Sequence, residues 1–239
     1  VALVSHSGAG KTSLAEAMLF ACGEISRLGK IEDGNTTSDY EPEETRRQGS
    51  IQLSVAPCTW SNHKLNILDT PGYPDFVGEV VSALQAVDAA VILVAAHAGV
   101  EVGTQDSWNF CEARNIPRLI YVSKMDRENA DFGRSLASIQ EAFGSKCVAI
   151  QVPVGSQQGF SGVVGLVHPP GDVPSDVASE VESLRERLIE AVAETDDDLG
   201  TKYLEEEEIS QEELISALKR GVLSGEIVPV LAGAATKPS

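Results

Sequence analysis

The sequence predicts an α/β fold, a mostly parallel β-sheet with helices on both faces, and three observations support this prediction. A glycine-rich stretch at residues 5–12 lies between an apolar run and a helical pattern, which is the order strand, loop, helix. Continuous apolar runs then alternate with helical patterns, as in a sheet covered on both sides. Polar motifs follow several of these runs, where ligands bind in such folds.

The glycine-rich stretch has the sequence S-H-S-G-A-G-K-T. Such a loop points backbone N–H groups at one place beside a helix N-terminus, whose dipole favours anions. Lys11 would reach the β- and γ-phosphates and the Thr12 hydroxyl would bind Mg²⁺, which predicts a P-loop NTPase. Ser5 replaces the expected first glycine, and a glycine turn that merely caps a helix is the alternative. The candidate phosphate-binding residues are Ser7, Gly8, Ala9, Gly10, Lys11, Thr12 and Ser13.

A helix, a long loop and two strands are predicted next. Residues 13–22 place their apolar side chains on one helical face, and residues 24–50 are polar without periodicity, which indicates a functional or disordered loop. Strands are predicted at residues 51–57 and 65–68. Asp69-Thr70-Pro71-Gly72 then ends the second strand, where Asp69 could hold a Mg²⁺ water and the Gly72 N–H could meet a γ-phosphate.

Apolar strands and helices alternate through the rest of the core. Helices are predicted at residues 80–87, 103–114 and 135–143, and strands at residues 89–96, 118–122 and 227–231. Ser123-Lys124-Met125-Asp126 follows the second of these strands, and Gly233-Ala234-Ala235 follows the third. We expect both motifs at the ligand-binding edge of the sheet.

Residues 147–225 differ in character from the core. They combine short glycine-bounded strands with a long acidic helix at residues 179–194, a run of four Glu at 205–208 and a helix at 211–220. The sequence therefore predicts a core at residues 1–146, a small acidic α+β insert subdomain at 147–225, and the last core strand with its loop at 226–239. The Glu run is mainly a solvated surface in this interpretation.

Composition narrows the possible functions. The net charge of −18 argues against non-specific nucleic acid binding, although a small local RNA contact stays open. No apolar run approaches the ~18 residues that span a bilayer and no signal peptide precedes the first strand, so we expect a soluble cytoplasmic protein without membrane contact. We also expect a monomer. The four cysteines lack metal-ligand spacing and predict buried thiols. The chain opens on a strand without Met, so we expect a piece of a longer protein.

The assembled motifs resemble the GTPase domain of elongation factor G, and more narrowly the elongation factor G-like homologues. Residues 5–12, 39–44, 46–51, 69–76, 123–127 and 233–235 carry the resemblance, in the family's order and spacing. It covers essentially the whole chain, and residues 147–225 look like a shortened form of the family's insert. The resemblance implies a ribosome-associated switch that hydrolyses GTP to GDP and phosphate, with the ribosomal stalk protein and a local ribosomal RNA contact as partners.

The resemblance also implies roles for single residues. Thr12 and Ser50 are the expected direct Mg²⁺ ligands, and Asp69 acts through a Mg²⁺ water. Residues 24–50 would be a mobile switch, ordered only when Mg²⁺ and a γ-phosphate hold Ser50. Lys124 would lie along the base, and Asp126 would accept the N1 and N2 hydrogens of guanine, a donor pair that adenine lacks. The expected residues at the base of GTP or GDP are Ser123, Lys124, Asp126, Gly233, Ala234 and Ala235.

The sequence departs from the family at several functional positions. Ser123 replaces the Asn that ties the base loop to the phosphate loop, and Ala234 replaces the Ser of the final base-contacting motif, which predicts weaker nucleotide binding. Gly8 replaces an Asp found in translational members. Tyr73 replaces the His that positions the attacking water, so turnover should be slow. The candidate catalytic residues are Tyr73, Lys11 and Gly72.

Three functions compete on these residues. The first is the GTP-hydrolysing switch, and the second is a guanine-nucleotide-binding module that hydrolyses GTP slowly or not at all and does not drive translocation. The third, an adenine-specific phosphotransferase, is disfavoured by Asp126 and by the lack of a recognisable acceptor site in the sequence. Tyr73 is the feature that separates the first two.

Overall fold

In the computed structural model, which describes residues 1–236, a seven-stranded sheet forms the centre of the protein. In chain order, the strands of this sheet and of a second, smaller sheet are β1 (Ala2–Val4), β2 (Ser54–Trp60), β3 (His63–Asp69), β4 (Ala90–Ala95), β5 (Arg118–Ser123), β6 (Cys147–Ala149), β7 (Gln151–Val154), β8 (Gly162–Gly165) and β9 (Val228–Ala232). The sheet order is β2-β3-β1-β4-β5-β9-β6, while β7 and β8 form a separate antiparallel pair. All neighbours in the main sheet are parallel except β2 and β3, which confirms the predicted fold class.

Helices cover both faces of the sheet. They are α1 (Lys11–Ala21), α2 (Pro42–Arg47), α3 (Val77–Leu84), α4 (Val102–Glu112), α5 (Phe132–Phe143), α6 (Ala178–Ala193), α7 (Asp197–Leu204) and α8 (Gln211–Ser224). Successive side chains of a strand point to opposite faces. Leu3 of β1 accordingly packs in one cluster with Leu19 of α1, while Ala2 and Val4 pack in another with side chains of α3 to α6. No helix within residues 1–236 combines the length and apolar character needed to cross a bilayer.

The strand register brings the polar motifs to one edge of the sheet. Asp69 at the end of β3 lies beside Leu3 of β1, directly before the phosphate loop. Ser123 at the end of β5 lies beside Ala95 of β4, and the end of β9 lies beside the end of β5. Because these strands are parallel, their carboxyl ends all meet at the edge where the phosphate loop begins.

The long loop at residues 24–50 contains a helix that the sequence analysis did not predict. Helix α2 has six residues, with Pro42 in its first turn and a capping box between Glu41 and Glu44. Glu44 also accepts the N–H groups of Ile51 and Gln52 at 2.8 and 3.1 Å. These two residues are therefore held outside the sheet, so β2 begins later than the strand predicted at residues 51–57.

The predicted insert boundary at residue 147 coincides with the first residue of a strand. β6, which comprises the first three residues of the predicted insert, is an edge strand of the main sheet and pairs in parallel with β9. Its three residues are buried and apolar, so the sheet gains an edge strand from them. The buried stripe of α6, including Leu188, belongs to the same hydrophobic cluster as Ile120 of β5. Residues 237–239 of the predicted final segment lie outside the described residues.

Candidate functional site: a nucleotide cleft

The phosphate loop joins β1 to α1 and turns at two glycines. Gly8 and Gly10 have φ angles of 79° and 95°, in the left-handed region that glycine adopts without steric cost. Gly10 is the N-cap of α1 and has no side chain with which to cap the helix. The first backbone N–H groups of α1 can therefore bind an anion, and the helix dipole favours negative charge there.

Ser5 lies at the position where the loop departs from the motif. The residue is 4% exposed, and its hydroxyl donates a hydrogen bond to the carbonyl of Leu93 in β4. This bond ties the strand-to-loop turn to the neighbouring strand. Glycine could not form it, so the serine anchors the turn by a side chain where the motif relies on backbone freedom.

Lys11 is buried at the start of α1. Its ammonium group donates to the carbonyl oxygens of Ser5 and His6, at 3.1 and 2.9 Å. Burial lowers the pKa of Lys11 to about 8, and the carboxylates of Asp69 and Asp39 oppose that shift. Within residues 1–236 Lys11 makes no ion pair closer than 4 Å. A phosphate oxygen would supply the counter-charge.

Gly72 and Tyr73 lie against the phosphate loop. A Cβ added to Gly72 would be 2.6 Å from both the His6 carbonyl oxygen and the Ser7 nitrogen. Glycine is therefore required for this close backbone approach. Tyr73 is 44% exposed, and its ring lies beside Gly49, where an added Cβ would be 3.4 Å from Tyr73 Cε2.

A pocket of hydroxyls and carboxylates lies next to the loop. Thr12 Oγ1 is 3.1 Å from Ser50 Oγ, and Ser50 donates to Asp39 Oδ1 at 2.6 Å. Ser38 donates to Asp69 Oδ2 at 2.8 Å. The second oxygen of each carboxylate, Asp39 Oδ2 and Asp69 Oδ1, is buried and has no hydrogen-bond partner among residues 1–236. Such unpartnered buried oxygens are costly, which points to a cation or its bound water as their partner.

The pocket fits Mg²⁺, which prefers hard oxygen ligands such as these hydroxyls and carboxylates. Burial raises the pKa of Asp69 to about 6, against hydrogen bonds from Thr12 and Ser38, and burial also raises the pKa of Asp39. A cation would reverse both shifts, because an opposite charge favours the ionised form. The structure thus places the predicted metal residues Thr12, Ser50 and Asp69 together and adds Asp39.

The base loop is attached directly to the phosphate loop. The Ser123 hydroxyl donates to the Ala9 carbonyl oxygen at 2.6 Å, so the tie expected to be lost with the family's Asn is retained by a shorter side chain. Lys124, with a φ of 61°, lies beside Gly10, where an added Cβ would be 3.7 Å from Lys124 Cε. Burial lowers the pKa of Lys124.

The final loop packs against Asp126. The Met125 N–H donates to the Gly233 carbonyl oxygen at 3.2 Å, and the Thr236 hydroxyl donates to the Asp126 carboxylate. A Cβ on Gly233 would be 3.0 Å from Tyr121 Cζ, which explains the glycine. Thr236 is a site residue without a predicted role, although its hydroxyl directly after Gly233-Ala234-Ala235 is a signal in the sequence.

A cleft of about 300 Å³ runs from the phosphate loop to the base loop. Its lining includes the predicted residues Ser7, Gly8, Gly10, Lys11, Thr12, Ser13, Ser50, Gly72, Tyr73 and Lys124. It also includes residues without a predicted role, namely Ile31, Glu32, Gln48, Gly49, Thr70 and Arg127. Asp126 lines a second cavity, and Gly233, Ala234 and Ala235 line a third, so the residues expected at the base are divided among three cavities.

Fold and site together define the class of protein. A phosphate loop at a helix N-terminus, an oxygen-rich pocket beside it and a Lys-Met-Asp loop at the same sheet edge are the parts of a P-loop GTPase domain. The chain belongs to the family described as the elongation factor Tu GTP binding domain, which matches residues 1–238. It is therefore a GTP-binding P-loop GTPase domain of the translation-factor family.

One solved structure has a similar fold. A crystal structure of a protein from Thermus thermophilus is similar to this chain with a TM-score of 0.91 and 35% sequence identity. The match covers 99% of this chain and 37% of that one, so the chain spans little more than a third of that protein's length.

Proposed function

We propose that this chain is a GTP-hydrolysing switch of the elongation factor G type, which converts GTP to GDP and phosphate and acts with the ribosome. The observation that carries the proposal is the cleft between the phosphate loop and the base loop, with Ser123 bonded to Ala9. The order and spacing of the motifs support the elongation factor G type. In such a switch the γ-phosphate and Mg²⁺ hold segments that are released after hydrolysis.

The residues at the phosphate-loop end of the cleft would position the nucleotide for hydrolysis. Lys11 and the loop N–H groups bind the β- and γ-phosphates, and the Gly72 N–H meets the γ-phosphate. Thr12, Ser50 and Asp69 would hold Mg²⁺. The metal supplies positive charge where the phosphate oxygens become more negative. The remaining contribution of the chain is to hold the nucleotide and a water in line, since this reaction depends mostly on positioning and electrostatics.

Asp126 would select guanine, which a competition titration tests. Labelled GDP should be displaced by GTP and not by ATP, because adenine lacks the donor pair that the carboxylate accepts. Asp126→Asn should weaken GDP binding about 10- to 150-fold, as expected from losing a charge-assisted hydrogen bond worth about 1.5–3 kcal/mol. Glu128→Gln, at an exposed carboxylate two residues further on, is the control. Displacement by ATP as effective as that by GTP would refute the proposal.

Tyr73 favours a second function, a guanine-nucleotide-binding module with slow or no hydrolysis that does not drive translocation. The ring lines the phosphate cleft beside Gly49 and stands where the family carries the water-positioning histidine. A phenol cannot carry a positive charge, so it cannot offset developing negative charge as a protonated imidazole can. GTP turnover with and without ribosomes separates the two functions.

The partners follow from the same proposal. The protein would work in the cytoplasm as a monomer, and its acidic insert at residues 147–225 would meet the ribosomal stalk protein beside a local ribosomal RNA contact. The support is the exposure of all four carboxylates at 205–208, between α7 and α8. An acidic surface is complementary to a basic protein partner and speeds its association.

A further inference from the structure

A buried carboxylate lies on the helix that follows the phosphate loop. Glu16 is on α1, one helical turn after Thr12, and the residue is 1% exposed. No Lys, Arg or His within residues 1–236 lies within 4 Å of its carboxylate. Burying a carboxylate is costly unless it is hydrogen-bonded. The bonds of Glu16 therefore show what the buried charge is for.

Both Glu16 oxygens accept backbone N–H groups from the two ends of one loop. Oε2 accepts the Gly29 N–H at 3.1 Å, and Oε1 accepts the Thr37 N–H. Between these ends the loop is closed on itself, since Asn35 Oδ1 accepts the Lys30 N–H at 2.7 Å. One side chain thus fastens residues 29–37, called here loop 29–37, to the phosphate-loop helix.

Loop 29–37 is closely packed and reaches the nucleotide cleft. A Cβ on Gly29 would be 2.7 Å from the Asn35 carbonyl oxygen and 2.9 Å from Thr36 Cα, so no larger residue fits. Ile31 and Glu32 of this loop line the cleft together with the phosphate loop. The two hydrogen bonds from Gly29 and Thr37 to Glu16, called here the clasp, therefore hold a loop that lines one side of the cleft.

The following segment, residues 38–50, has different anchors. Ser38 donates to Asp69 at 2.8 Å and Ser50 donates to Asp39 at 2.6 Å. These groups line the pocket that would hold Mg²⁺, so their bonds would change when Mg²⁺ and a γ-phosphate bind or leave. Glu16 is bonded to neither group, and its two acceptor oxygens are already used by the loop.

We propose that Glu16 is a positioning residue that keeps loop 29–37 over the nucleotide in both the GDP and the GTP states. Nucleotide-dependent movement is then confined to segment 38–50, which is only the last part of the switch expected over residues 24–50. The nucleotide part of this inference rests on the proposed function. The clasp itself does not, because it is made entirely within the protein.

Trypsin reports on both halves, since exposed Lys30 lies in loop 29–37 and exposed Arg46 and Arg47 lie in segment 38–50. In the GDP complex we expect cleavage after Arg46 and Arg47 and protection of Lys30, whereas a non-hydrolysable GTP analogue should protect all three. Glu16→Gln places an amide group against a backbone donor and should expose Lys30. GDP release should accelerate about tenfold or more, as for losing a hydrogen bond to a charged group.

The cleavage pattern distinguishes positioning from a general structural role. Glu16→Gln leaves one buried N–H of loop 29–37 without an acceptor, so the melting temperature should fall, while cleavage after Arg46 and Arg47 in the GDP complex should stay at the wild-type rate. The control is Glu24→Gln, which alters a carboxylate that accepts the Thr59 N–H at 3.2 Å and should change neither Lys30 cleavage nor GDP release. Faster cleavage at all sites would overturn the proposal.

Two further results would also overturn it. One is cleavage of Lys30 as fast as Arg46 in the wild-type GDP complex. The other is unchanged Lys30 protection and GDP release in Glu16→Gln. Protection of Lys30 in the nucleotide-free protein tests the clasp without any nucleotide. A failure of guanine binding is therefore distinguishable from a failure of the clasp.

Discussion

His6 connects the phosphate loop to the first turn of α4. Its Nδ1 lies 3.0 Å from Thr104 Oγ1, and its Nε2 lies 3.2 Å from a carboxylate oxygen of Glu101. Gly103 allows this approach, because a Cβ there would be 2.9 Å from His6 Cα. The ring thus fixes the loop whose backbone carbonyl also accepts from Lys11.

The protonation of His6 should make stability depend on pH. Burial lowers its pKa, with Glu101 opposing the shift and Lys11, Lys124 and His97 adding to it. Below about pH 6.5 the unfolded chain therefore binds more protons at this histidine than the folded chain does. The contribution of neutral His6 to the free energy of unfolding is therefore fully present above that pH and is lost as the pH falls through the lowered pKa of the folded state. Denaturant titrations above and below about 6.5 should show a free energy of unfolding that falls more for wild type than for His6→Gln. Parallel pH curves would contradict this assignment.

Single residues were predictable where a short motif carries the chemistry. The phosphate loop, Asp69 and the base loop each follow a strand with a recognisable spacing, and the structure brings them to one edge. Asp39 and Glu16 had no such signal, since one lies in an irregular loop and the other is a polar residue within a helical pattern. Their roles arise from the fold, because their hydrogen-bond partners are 11 to 21 positions away along the chain. Ser50 donates to Asp39, and the N–H groups of Gly29 and Thr37 donate to Glu16.

Helices were predictable where apolar side chains recur with helical periodicity over several turns. Strands were predictable where a continuous apolar run marks a buried strand. The helices and strands of the core were found with shifts of a few residues at their ends. Helices α2 and α7 were missed because they have six and eight residues and are mostly charged or polar. Their caps were the available signals, namely Pro42 after Glu41 and the N-cap Asp196.

Helix α6 should contribute to the stability of the whole domain. Leu188 is fully buried in the cluster that contains Ile120 of the central sheet. Leu188→Ala should lower the free energy of unfolding by about 2–5 kcal/mol, while Leu223→Ala, at a residue that is 71% exposed, should change it little. Trp108 fluorescence and far-ultraviolet circular dichroism should report one shared transition. Two transitions, with only one shifted, would show that the insert unfolds as a separate unit.

At the scale of the whole molecule, the net charge of −18 favours basic partners. Changing the four exposed Glu at 205–208 to Gln should reduce ribosome stimulation of GTP turnover and leave GDP affinity unchanged. Neutralising four exposed Glu of α6, at 180, 182, 186 and 190, removes the same charge from another surface and is the control. An equal loss in both variants would indicate an effect of total charge, and no loss in either would exclude a stalk contact through this run.

The central claim is that this domain hydrolyses GTP slowly because Tyr73 occupies the place of the water-positioning histidine. The most direct measurement is single-turnover GTP hydrolysis by wild type, Tyr73→His and Tyr73→Phe, each with and without ribosomes. We expect slow hydrolysis by wild type and Tyr73→Phe, and an acceleration of about 10²–10⁴-fold in Tyr73→His with ribosomes, the usual contribution of such a group. GDP affinity should be the same in all three. Wild-type hydrolysis as fast as that of Tyr73→His under ribosome stimulation would contradict the account.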